Sequence, residues 1–203
     1  MNDQEKFWLG NFGNNYTKRS FNQKTILNNK IFFSKIFNNK KVNSILELGA
    51  NVGYNILALK KVFKKLKLIT CVEINNFAYK KLLKIKGIDA INESLIKFQS
   101  KKKYELVFTK GVLIHLNPSC LKTVYKMMGK NSSKYVLMAE YYNPTPVKID
   151  YRRNKNKLFK RDFAKEFLQV NKNFKLLDYG FTYHKDRYPQ DDLTWFLFKK
   201  KLS

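Results

Sequence analysis

The chain has 203 residues, 44% of them hydrophobic, and a formal net charge of +26. That length gives one domain with a core of ordinary size. Its two cysteines, Cys71 and Cys120, fit neither a disulfide framework nor a zinc site and point to a reducing cytoplasm. The charge is nearly all lysine, with arginine only at 19, 152, 153, 161 and 187. Lysine, asparagine, isoleucine and phenylalanine share A/T-rich codons, so a low-GC genome produces this excess without a nucleic-acid partner. The lysines are also spread over almost every segment rather than gathered into an arginine-bearing stripe. The charge therefore favours small anionic substrates over nucleic acid. The opening MNDQEKFW does not read as a signal peptide and no apolar run reaches the length of a membrane span, so no membrane insertion is expected.

Residues 1–41 read as a helical arm preceding the main domain, 42–203. Phe7, Trp8, Phe12, Tyr16 and Phe21 stand among glycines and asparagines and anchor the arm to the body. Tyr16 and Arg19, three apart, share a face of a helix. Gln23–Phe37, with Ile26, Leu27, Ile31, Phe32, Phe33, Ile36 and Phe37, reads as a helix packed on a sheet. The apolar run Val42–Leu46 has the composition of a buried parallel strand. It breaks at Gly49, Gly53 follows, and Ile56, Leu59, Val62, Phe63 and Leu66 then recur at helical spacing. A strand, a glycine turn and a helix N-terminus bring free N–H donors and the helix dipole together for a ligand with a negative group. The next strand, Lys67–Glu73, ends on an acid a little over 20 residues after the glycines, where it meets the two hydroxyls of a ribose. The two features together read as a nucleoside-cofactor site; the alternative is an α/β turn with no ligand.

The dinucleotide fingerprint needs G-x-G-x-x-G. Here Glu47, Gly49, Asn51 and Gly53 make E-x-G-x-N-x-G, with the middle glycine missing. This pattern resembles motif I of class I S-adenosylmethionine-dependent methyltransferases. The resemblance implies S-adenosylmethionine as cofactor, with Asn55 and Ile74 beside the motif residues and Glu73. With such a cofactor, the Tyr16 hydroxyl and the Arg19 cation, sharing a face of a helix on the lid, are placed to hold the carboxylate of its methionine part.

Beyond Glu73 a helix is expected to run to a C-terminal cap at Gly87, followed by a third strand, Ile88–Asn92. Methyltransferases usually place an acid after this strand, against the adenine amino group; register leaves Glu93 and Ser94 both open. The fourth strand is Tyr104–Thr109, the next helix Cys120–Met128 and the fifth strand Lys134–Glu140. Residues 143–157 read as a proline-punctuated basic loop, Phe159–Val170 as a helix, and Phe174–His184 and Asp192–Lys199 as two closing strands. Alternating strands and helices from 42 to 140 mark parallel βαβ units. The fold class is α/β: a three-layer sandwich with a seven-stranded, mostly parallel, Rossmann-like sheet of class I methyltransferase type, an antiparallel last strand and an N-terminal helical lid. By the crevice rule Gly49, Glu73, Glu93, Lys110–Leu116 and Glu140–Asn143 share one rim, which adds Lys110 and Gly111 to the cofactor set.

Segments along nearly the whole chain resemble the pseudaminic acid biosynthesis-associated methylases, small class I methyltransferases found with genes for nine-carbon nonulosonic sugars. They are FWLGNFGNNYTKRS, LELGANVGYN, TCVEIN, LVFTKGVLIHLNP, AEYYNPTPV, YRRNKNKLFKRDFA, LLDYGFTYH and YPQDDLTWFL. One departure falls at Arg153-Asn154, where a glycine and a histidine are commoner. The resemblance implies a methyltransferase acting on a small anionic sugar or nucleotide-sugar. Methyl transfer is mainly positioning, but a hydroxyl acceptor also needs a base. His115, on the fourth-strand rim, is one such base or else fixes its loop; Glu140, Asp191, Asp192 and His184 are the reserves. Tyr141, Tyr142 and Asn143 follow the fifth strand, where methyltransferases meet the acceptor. Tyr151, Arg152, Arg153, Lys155 and Lys157 either grip its carboxylate or phosphate or form a merely solvated basic loop. No cluster has metal-ligand spacing, so a metal-independent reaction is expected. An RNA methyltransferase, and a nucleic-acid-binding protein with an inactive methyltransferase fold, are the alternatives.

Overall fold

The computed structural model describes residues 1–19 and 23–201; Phe21 and the side chain of Arg19 lie outside the described residues. The arm forms three helices: α1 Asp3–Leu9, α2 Asn11–Arg19 and α3 Gln23–Ile36. Then come β1 Ser44–Leu48, α4 Tyr54–Val62, β2 Leu68–Val72, α5 Asn76–Leu82, β3 Asp89–Ile91 and β4 Tyr104–Lys110. The chain continues through α6 Leu121–Asn131, β5 Ser132–Glu140, β6 Val147–Tyr151, β7 Asn154–Lys160, α7 Phe163–Val170, β8 Phe174–Phe181 and β9 Thr194–Lys200.

Seven strands form one sheet in the order β3-β2-β1-β4-β5-β9-β8. The first five pair in parallel, and β9 runs antiparallel to both β5 and β8. Because side chains alternate across a strand, each central strand feeds two cores. Ile45, Phe108, Leu137 and Leu197 join Phe33, Ile36, Ile56 and Leu59 under α3 and α4. On the other face Leu46, Val107, Val136 and Phe198 join Val124, Met128 and Phe167 under α6 and α7. The central strands are apolar on both faces because helices cover both. All the expected strands form, with ends shifted by a few residues.

Three local expectations are corrected. The helix after Glu73 stops at Leu82, so Gly87 does not cap it; Gly87, at φ +73°, instead turns the chain toward β3. Of the expected loop 143–157, only 143–146 are irregular: from Val147 on, β6 and β7 form an antiparallel hairpin whose two-residue turn is Arg152-Arg153. Both arginines have positive φ, +49° and +67°, as a type I′ turn requires. Without Asn-Gly to announce it, the turn is invisible in the sequence. Phe159 therefore lies on β7, and α7 begins only at Phe163, where the Asp162 side chain accepts from Lys165 N at 2.9 Å as the N-cap.

Candidate functional site

The carboxyl ends of the central strands open on a cavity of about 620 Å³, within the range of small-molecule sites. Helices α1, α2 and α3 roof it, and the connection between β8 and β9 forms its far wall. Gly49 leaves β1 at φ +76°, and a Cβ there would lie 2.7 Å from the Val112 side chain, so only glycine lets the turn approach the β4 rim. Gly53, at φ +83°, packs against Ile85 and Leu82 and does not line the cavity. Asn51 occupies the missing middle glycine position in the left-handed conformation, φ +48°, which asparagine tolerates. Its N–H donates to Glu73 Oε2 at 2.7 Å, and its Oδ1 accepts from Thr17 Oγ1 of α2 at 3.2 Å.

Glu73 lies buried in the cavity wall, with Oε1 accepting from Asn75 N at 2.7 Å. Burial raises its pKa against the pull of these backbone donors. Each carboxylate oxygen is oriented by one N–H and keeps a lone pair for a vicinal diol. On the β3 side Ser94 is buried in the wall, whereas Glu93 does not line it. Ser94 Oγ donates to Glu5 Oε1, and Glu5 Oε2 also accepts from Asn2 N at 2.7 Å. The acid on this side thus comes from α1, 89 residues away in sequence, and no local pattern announces it.

Asn75 latches the arm. Its Nδ2 donates to Trp8 O at 3.0 Å and to Asn14 Oδ1 at 2.9 Å, while its Oδ1 caps α5. Glu47 is buried but stands behind the wall, accepting from Asn55 Nδ2 at 2.7 Å. Asn55 in turn accepts from Asn29 Nδ2 of α3 at 2.9 Å. Burial pushes Glu47 up to about 8. Asn55 and Ile74 line the cavity, as do Tyr16, Lys110 and Gly111.

His115 is 8% exposed, its ring 4.7 Å from both Trp8 and Tyr151. Its Nδ1 lies 2.8 Å from Lys157 O. A carbonyl only accepts, so Nδ1 carries the proton and Nε2 the lone pair. Burial pulls the pKa down to about 4, so the ring is neutral near pH 7. Glu140 is placed otherwise than a reserve base requires. It is buried outside the cavity wall and accepts from Val112 N at 2.9 Å and Ile114 N at 3.4 Å, holding the loop after β4. Burial pushes it up to about 7. Asp191 lines the cavity, while Asp192 is paired with His184 at 2.9 Å.

Of the residues expected to meet the acceptor, Tyr141 and Tyr151 line the cavity. Tyr142 packs against Phe196 and Asn143 Nδ2 donates to Thr145 O, both outside it. Arg152 and Arg153 sit exposed at the hairpin turn, Arg152 over the Tyr151 ring at 5.7 Å. Lys155 is exposed on β7. Lys157 Nζ donates to Asp3 O at 3.1 Å, tying the hairpin to α1. The residues missed in the sequence, Glu5, Thr17, Asn28, Asn29 and Gln190, all reach the cavity through tertiary packing.

No protein-family model matches the sequence, and no curated protein matches it. Solved structures do. Magnesium protoporphyrin IX methyltransferase (ChlM) from Synechocystis PCC 6803 with bound SAM matches with a TM-score of 0.69 at 11% identity, covering 99% of each chain. The N-methyltransferase NodS from Bradyrhizobium japonicum WM9, in complex with S-adenosyl-l-homocysteine, matches with a TM-score of 0.64 at 13% identity over 90% of each chain. A S-adenosylmethionine-dependent methyltransferase from Clostridium acetobutylicum ATCC 824 matches with a TM-score of 0.63 at 10% identity, over 91% of this chain and 94% of that one. The chain has the fold of class I methyltransferases.

Proposed function

We propose that the chain is an S-adenosylmethionine-dependent methyltransferase acting on a small molecule. The observation that carries this is the pairing of Glu73 with the left-handed Asn51 turn inside one roofed cavity. The residues present fit the cofactor: a doubly anchored buried carboxylate for a diol, a side-chain-free turn at Gly49, and Ser94 with Glu5 at the end of β3. The cofactor supplies an activated methyl group with its own leaving group. The chain's part is alignment, exclusion of water by α1 and α2, and proton removal if the acceptor is a hydroxyl. His115 offers a neutral Nε2, with no hydrogen-bond partner among the described residues, in the same wall.

The finer reading is a nonulosonic sugar acid, free or nucleotide-activated, as acceptor. The motif resemblance supports it, as does a cavity wall in which Lys110 offers a cation. Calorimetry with S-adenosylhomocysteine against a nicotinamide dinucleotide tests the coarser reading; preference for the dinucleotide overturns it. Glu73→Ala is expected to weaken binding by about 1–3 kcal/mol, and unchanged affinity means that the ribose is held elsewhere. A screen of nonulosonic acids and their nucleotide-activated forms with labelled S-adenosylmethionine, with bulk RNA in parallel, tests the acceptor.

A further inference from the structure

Helices α6 and α7 leave part of their own face of the sheet bare. Phe167 of α7 packs on Phe198 of β9, ring centroids 4.8 Å apart, and on Phe174 of β8 at 5.4 Å. Phe196, two residues before Phe198, lies on the same face but is only half-buried. Register puts Tyr179 of β8 opposite Phe196, and Phe181 opposite Thr194, on that face too. Tyr179 stacks on Phe196 at 6.4 Å yet is 65% exposed, and Phe181 is 62% exposed. Tyr142, just past β5, adds a third ring, 6.0 Å from Phe196 and 40% exposed. A connected group of exposed aromatic side chains marks an interaction surface, as single scattered ones do not.

Charge says what covers it. Of the 203 residues 41 are lysine or arginine, yet the stretches that build this face, 141–147, 176–184 and 191–198, hold none. Lys160 borders the face, over the Tyr141 ring at 5.4 Å. Edge strands commonly carry lysine against association; β8 is an edge strand, and no lysine lies between Lys175 and Lys185. Nucleic acid, an anionic membrane or an acidic protein gains most from the lysine-rich remainder of the surface. A second copy carries the same +26 and is repelled wherever lysines face each other. About a twofold axis a surface meets itself, so here a lysine-free face meets a lysine-free face and the rings leave water. The register shift between Leu176 and Asp178 interrupts the β8 edge, which leaves the contact to the face rather than to strand addition. We propose that this face is the interface of a homodimer, in which Tyr142, Tyr179, Phe181 and Phe196 of two copies pack about a twofold axis. The inference stands apart from the methyltransferase reading.

The test is sedimentation velocity on the full chain from about 1 to 100 µM, at about 0.1 and 0.5 M salt. Wild type is expected to dimerise in that range, and about threefold or more tightly at the higher salt, because screening removes the repulsion between copies and leaves the apolar contact. Tyr179→Lys and Phe181→Lys each set like charges across the axis and are expected to weaken the dimer at least about tenfold. Leu83→Lys adds the same charge at an exposed apolar site beyond α5, which packs beside β3 at the opposite edge of the sheet. It is expected to leave the dimer within about twofold of wild type. Circular dichroism melts check that each variant folds, and if one of the two face variants does not, the other decides. A wild type that stays monomeric at about 100 µM, a dimer that withstands both face variants, or one that weakens with added salt overturns the proposal. An equal loss in Leu83→Lys overturns it too, since net charge alone then sets association. A monomer that cosediments with phosphatidylcholine vesicles, and ceases to in Phe181→Lys, gives the face to lipid and likewise overturns it.

Discussion

At the scale of single residues, the protonation state of His115 is tied to the stability of the fold. Its neutral form is enforced by burial between Trp8 and Tyr151, with Nδ1–H spent on Lys157 O. The folded pKa of about 4 lies below the ordinary 6.5, so the unfolded chain binds more protons than the folded one between those values. Stability contributed at this site is therefore present above about pH 6.5 and lost as the pH falls toward 4, by about 3 kcal/mol in all. His115→Asn keeps a donor for Lys157 O but neither titrates nor accepts a proton. Denaturant unfolding at pH 7 and pH 4.5 is expected to show a steeper acid loss for wild type than for the variant. Glu47 and Glu140 have pKa values raised by burial and change stability in the opposite direction, but both proteins share them. Equal acid losses mean that His115 is not held neutral. If the acceptor is a hydroxyl, turnover by the asparagine variant is expected to fall at least about a hundredfold; normal turnover makes His115 structural and moves the base to Asp191.

At the scale of elements, the sheet was legible and the roof was not. Central strands such as Leu106–Phe108 are buried on both faces, so they stand out as continuous apolar runs. Helix α1 is only seven residues long and α2 is rich in asparagine, and both owe their place to Asn75 and to Gly13. A Cβ on Gly13 would sit 1.8 Å from Trp8 O and 2.9 Å from Asn75 Nδ2. Gly13→Ala is thus expected to unlatch the arm, exposing it to limited proteolysis and weakening S-adenosylhomocysteine binding by at least about tenfold, while the sheet domain stays folded. An arm as protected as in wild type removes the latch. The hairpin was illegible for another reason: Arg152 and Arg153 hold backbone angles that glycine or asparagine normally signals. Each residue there carries about 1 kcal/mol of left-handed strain, so Arg153→Gly is expected to raise the melting temperature by about 2–4 °C. A lower melting temperature means that the arginine side chain contributes more than its backbone costs.

At the scale of the whole molecule, the net charge of +26 and the chemistry of the cavity are separate properties. Among the described residues Lys110 is the one lysine or arginine in the cavity wall; the other described lysines and arginines lie elsewhere, spread over almost every segment. A surface of that kind attracts nucleic acid through counterion release, without register or sequence preference. On the proposed reading the cavity holds a small ligand through buried, oriented groups such as Glu73 and Ser94, which salt screens little. The two modes therefore separate on one axis. Bulk RNA is expected to bind at low salt, and if about 6–10 phosphates are contacted its affinity falls about 10³–10⁵-fold between 50 and 200 mM salt. S-adenosylhomocysteine affinity is expected to change by less than about twofold over the same range. Filter binding of RNA and calorimetry of the nucleoside, run on the same preparation across that range, make the comparison. Methyl transfer to RNA that persists at 200 mM salt would show that the surface and the cavity work together, and the small-molecule reading would then give way to an RNA methyltransferase.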